Sequence, residues 1–240
     1  MSILKKVFGD FVDARQLRRA SRDLFKQRQQ AIELLFEADL AFVRDAFAET
    51  PAALRSESFP DYPGAVWTGD LGVNAFYVMQ DVEVEQFPVY VNLVTTGRER
   101  LGPCRFVRDG SLQTFFSSVE RYSGKQVSLL TNDAELVRSV SASRFNPPPP
   151  WLAWYELGPL ICNLQGDAQY WYENVWDKYW ESLSLAEQDE FIQKRQSSAS
   201  VAMSDEEWAD WLEAVRTRDA RYRERRRNEH LEAGGDEATS

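Results

Sequence analysis

Asp81, Glu83 and Glu85 stand at twofold spacing in a stretch rich in valine, tyrosine and phenylalanine. On an extended strand alternate residues share a face, so this spacing lines the three carboxylates up. Such an arrangement could hold a divalent cation, or divide acid and base work as in glycoside hydrolysis. The chain has 38 acidic residues, so pairs of this kind arise from composition alone. No lysine follows at the spacing a metal-dependent nuclease would use.

The remaining chemistry is sparse. His230 is the single histidine and lies near the C-terminus. Histidine-based nucleophilic triads and histidine-ligated metal sites are therefore not expected. Cys104 and Cys162 have neither CxxC spacing nor a histidine to activate them, and they read as reduced, buried thiols. Phosphate loops, GxGxxG turns and GxSxG elbows are absent. The sequence thus assigns no catalytic residue, no metal ligand and no cofactor.

The same acidic strand has a second use. Val82-Glu83-Val84-Glu85 alternates strictly, which predicts Val82 and Val84 toward a core and Asp81, Glu83 and Glu85 toward solvent. Pro88 keeps this strand near an edge, as prolines in sheets do. An outward row of carboxylates would meet a basic partner.

Charge is distributed unevenly. The net charge is −10, but residues 1–30 hold eight basic against three acidic side chains, and residues 216–227 hold seven arginines against two acids. The body, 31–215, is left at −16. Phosphate contacts need lysine and arginine, so nucleic acid is not an expected partner. A basic protein is, through electrostatic steering. No apolar run approaches the length of a membrane span, and MSILKKVFGDF has too short an apolar run for a signal peptide. A cytoplasmic location follows as the expectation.

Elements must carry these residues. Residues 10–48 read as one or two helices, with Arg15, Arg18, Arg19 and Arg22 on a solvated face. A proline-rich loop spans 50–64. From Val73 the period changes to two, giving strands through Val94 and again over Leu101–Val107. Ser111–Arg121 is predicted helical from Leu112, Phe115, Phe116 and Val119. Gln126–Thr131 is a strand, and Asn132-Asp133 caps a helix over Ala134–Val140.

Pro147–Pro150 then forms a stiff extended spacer. Seven of the eight tryptophans follow between Trp151 and Trp211. Asp167 is read as the N-cap of a central helix carrying Trp171, Trp176 and Trp180. Ser184-Leu185-Ala186-Glu187 and Ser204-Asp205-Glu206-Glu207 are capping boxes. The class is α+β: N-terminal helix or helices, an antiparallel or mixed sheet in the middle, and Trp-rich C-terminal helices packed on it. The divisions are a helical segment at 1–49, a core domain at 65–215, and at 216–240 an Arg-rich helix extension with a disordered tail from His230. Trp151 and Trp154, beside the proline spacer, are candidate aromatic contacts for a partner.

An acidic α+β body, many tryptophans and no reactive constellation together resemble the immunity proteins of bacterial toxin systems, including type VI secretion effector–immunity pairs. The resemblance implies a cytoplasmic protein that occludes one cognate toxin, such as a basic nuclease domain. The alternative is an adaptor, chaperone or phage-encoded accessory protein, whose contacts would be the basic termini and the proline spacer.

Overall fold

The computed structural model describes residues 23–159, 164–199 and 203–237. Arg15, Arg18, Arg19, Arg22 and Cys162 lie outside them.

Two helices open the described chain: α1, present from residue 23 to 36, and α2 over Leu40–Ala46. Glu37, at φ 50°, sits in the break between them. The middle is a sheet of β1 (Val66–Trp67), β2 (Phe76–Glu83), β3 (Glu99–Arg100), β4 (Arg105–Arg108), β5 (Leu112–Arg121) and β6 (Gly124–Thr131). Its order is β1-β2-β6-β5-β4-β3, with every neighbouring pair antiparallel. Helix α3 (Phe87–Thr95) lies between β2 and β3, and α4 (Ala134–Ser143) follows β6. The C-terminal part is helical: α5 (Pro150–Ala153), α6 (Gly166–Trp171), a π turn (Tyr172–Trp176), α7 (Asp177–Ser182), α8 (Leu185–Ala199), α9 (Asp205–Arg216) and α10 (Ala220–Glu237).

Side-chain alternation splits the sheet between two cores. Phe76, Val78 and Val82 of β2 pack with Val127 and Leu129 of β6 against Tyr90 and Val94 of α3 and Val137 and Val140 of α4. Phe115 of β5 and Leu130 of β6 face the other way, into Phe36 of α1 and Leu40 and Val43 of α2. The third core is aromatic: Trp151, Trp171, Trp176, Trp180, Trp208 and Trp211 are buried in one cluster. The α+β class and the Trp-rich helical layer are as the sequence predicts.

Four local expectations are corrected. The stretch expected to be a helix over Ser111–Arg121 is instead strand β5, Leu112–Arg121. Its apolar residues fit a helical stripe, but the chain turns at Tyr122 and Ser123, at φ 50° and 59°, and pairs Arg121 with Gly124. That is a two-residue hairpin loop of the kind that matches strand twist. Pro88 belongs to the first turn of α3 rather than to an edge strand, where its missing N–H costs nothing. Asp167 sits in the first turn of α6, with Gln165 at the cap position. The tail expected to be disordered from His230 continues as α10 to Glu237.

Both capping boxes form. Ser204 Oγ accepts from the Glu207 amide at 3.2 Å while Glu207 Oε2 accepts from the Ser204 amide at 2.8 Å. The Ser184–Glu187 pair repeats this at 3.3 and 2.8 Å. The π turn is what the sequence pattern conceals. In an α-helix, positions five apart point about 140° away from each other. The wider turn brings Trp171 and Trp176 into a parallel stack, 6.0 Å between centroids and 13° between planes, and Trp180 joins at 5.3 Å and 19°.

The proline spacer is buried and pressed on the β5–β6 hairpin. At Gly124 a Cβ would lie 2.6 Å from Pro148 Cγ and 2.8 Å from the Val82 carbonyl oxygen. Only a residue without a side chain fits there.

Candidate functional site

The three acids of the strand end in three environments. Asp81, 5% exposed, lies under a cleft. Glu83, also 5% exposed, is buried against Arg195 of α8. Glu85 falls in the turn after β2 and is exposed. The outward row of three carboxylates is therefore corrected. β2 ends at Glu83 because the Gln86 amide bonds the Glu83 carbonyl at 3.0 Å and starts the turn into α3. Val84, expected inside, is 53% exposed in that turn.

Glu83 is held on every side. Arg195 donates through Nη1 to Oε1 at 2.5 Å and through Nη2 to Oε2, and Asn146 Nδ2 donates to Oε2 at 3.0 Å. Bidentate guanidinium–carboxylate pairing is the strong form of this contact. It ties the C-terminal helices to the sheet and leaves Glu83 unavailable to a partner.

Trp151, 4% exposed, packs edge-on to Trp208 at 4.9 Å. It is a core residue, and its expected role as a surface contact is withdrawn. Trp154 is half-buried between Tyr122 and Trp171. The basic C-terminal segment is largely occupied as well. Arg216 pairs with Asp189, Arg218 with Asp177, Arg221 with Asp219 and Arg226 with Glu213.

The cleft itself has a volume of about 570 Å³. It is lined by β2 and Val66 at the start of β1, by the loop at Asp61–Gly64, by Asn174 of the π turn and by Lys178 and Glu181 of α7. Met79, Gln80 and Asp81 all border it. Side chains alternate along a strand, so a cavity touching three consecutive residues runs along the strand's edge. β1 leaves that edge open because it is only two residues long. Just before it, Gly64, at φ 77°, turns the chain, and Pro63 has no amide to donate.

Tyr62 anchors the loop. Its ring packs on Tyr179 at 5.4 Å, and its hydroxyl lies 3.5 Å from both the Phe145 carbonyl and Gln80 Nε2. Burial pushes the Tyr62 phenol well above its ordinary range, so it stays neutral. Val66, 58% exposed, and Met79, 44% exposed, supply apolar surface, and Asp61 and Glu181 are exposed beside them.

Asp81 is the unusual group. Its Oδ2 receives a 3.4 Å contact from Gln126 Nε2, but Oδ1 is buried with no partner. Burial raises its pKa; the Gln126 contact and the Arg121 charge pull the other way. Arg121 is engaged elsewhere, donating to the Tyr122 hydroxyl at 2.7 Å and lying 5.0 Å over the Tyr170 ring. Among the described residues, no group of three or more histidine, cysteine, aspartate or glutamate side chains is placed to hold a metal ion. Cys104 is a half-buried free thiol with its pKa raised by burial and by Glu37. His230 is exposed on α10.

No protein-family model, curated protein or solved structure matches the chain. Sequence reasoning singled out Asp81 but missed Val66, Met79, Tyr62 and Lys178, which share its cleft. The signal for the loop was present as Pro63-Gly64 ahead of a short apolar run.

Proposed function

We propose that this chain is a non-enzymatic, protein-binding protein: a cytoplasmic immunity protein that binds and blocks a basic toxin domain. The observation that carries the reading is the cleft beside β2. It combines exposed apolar Val66 and Met79 with the carboxylates of Asp61, Asp81 and Glu181, against the single ammonium of Lys178. Apolar surface rimmed by charge predominantly of one sign suits a protein partner of the opposite sign. The body's net −16 supports the same choice of partner, since steering acts over the whole surface. No described helix is long and apolar enough to cross a membrane, which is consistent with this location.

The test is co-expression with a toxin domain encoded by the adjoining gene. Growth restored by the wild-type chain, together with a stable complex on size exclusion, supports immunity. Undiminished killing with no complex overturns it.

A further inference from the structure

The open edge of β2 has an unspent hydrogen-bonding register. The Glu83 amide bonds the Asn146 carbonyl at 2.9 Å, so Glu83 points its backbone away from β6. Antiparallel pairing alternates, which turns Asp81, Met79 and Tyr77 the same way. Tyr77 meets Val66 of β1. Between that pair and Asn146, the amides and carbonyls of Met79 and Asp81 have no hydrogen-bond partner among the described residues. They face the cleft. A residue in a packed sheet occupies a cell of about 4.8 by 3.3 by 10 Å, so 570 Å³ holds about three to four residues of strand.

The side-chain chemistry narrows the occupant. Asp81 lines the cleft, and its Oδ1 is buried and unpartnered. Asp61 and Glu181 add negative charge at its mouth. We infer that the cleft accepts an extended segment of the partner protein, added as a strand to β2 through Met79 and Asp81, with a lysine or arginine of that segment reaching Asp81. This rests on the protein-binding reading above and gives it a mode. Main-chain bonds supply affinity in such additions, and side-chain pockets supply specificity. The basic residue supplies the donor that Asp81 Oδ1 lacks.

The probe is a capped peptide of about six residues, alternating valine and threonine with one central lysine, at millimolar concentration. Amide exchange at Met79 and Asp81 should slow about tenfold when it binds the full chain. Replacing the peptide's lysine with glutamine should weaken binding about tenfold, and Asp81→Asn should abolish that preference. Met79→Pro removes an outward amide and no β2–β6 bond, so it should block the peptide while circular dichroism remains native. Should that variant misfold, a peptide N-methylated at alternate amides does the same work on the wild-type chain and should not bind. Unchanged exchange at both residues, equal binding of the N-methylated peptide, or no preference for lysine each overturns the inference. The two readings separate cleanly. A Met79→Pro chain that folds and still protects against the toxin removes the strand addition and leaves immunity standing. A wild-type chain that fails to protect removes immunity, while the exchange measurement still decides the edge.

Discussion

Arg195 closes on Glu83 across 112 positions of sequence, with the carboxylate buried and the guanidinium only one-fifth exposed. The pair joins the last helical layer to the strand that borders the cleft. Removing one partner of such a pair leaves a buried charge, which costs about 3–5 kcal/mol. Arg195→Met should therefore lower unfolding stability by about that much in urea titration. The double variant Glu83→Leu/Arg195→Met should recover most of the loss. Glu85→Lys, on the exposed turn, should change stability by less than about 0.5 kcal/mol. Equal effects of Glu83→Lys and Glu85→Lys would show that the ion pair does not form.

Asp81 sets a pH dependence of opposite sign to that of a paired carboxylate. Its pKa in the folded chain is raised by burial above the ordinary 3.8. The folded state therefore keeps a proton that the unfolded state gives up. Its contribution to stability falls as pH rises from 3.8 through the raised value, then stays low. Asp81→Asn should gain stability relative to wild type at neutral pH, and the gain should shrink below that window. Chemical denaturation of both proteins at a series of pH values checks this. A variant less stable than wild type at neutral pH would count against the buried, unpaired oxygen.

Trp176 stacks on both Trp171 and Trp180 and is fully buried, yet its indole N–H has no hydrogen-bond partner. Trp176→Ala should cost about 3–5 kcal/mol through lost burial and the cavity left behind. Trp176→Phe should cost clearly less, because it keeps an aromatic ring and removes an unsatisfied donor. Thermal unfolding of the two variants gives the comparison. An alanine variant that melts with wild type would remove the tryptophan stack from the core.

Signals confined to a few neighbouring residues were legible. The capping boxes at Ser184 and Ser204, the Asp133 cap and the burial of the C-terminal tryptophans all follow from local propensity and apolar content. Where two local patterns alias, the sequence misled. Leu112, Phe115, Phe116 and Val119 fit a helical stripe, and only pairing with β4 on one side and β6 on the other makes them a strand. Strand geometry rightly put Asp81 and Glu83 on one face, but which face met water was decided elsewhere. Arg195, Asn146 and the π-turn helix, far along the chain, cover that face. Twofold periodicity cannot say what packs on either side of a sheet. The cleft exists because β1 begins only at Val66, opposite Tyr77, while β2 continues on to Glu83. A mismatch in length between neighbouring strands is a property of the assembled sheet, and composition and spacing alone do not determine it.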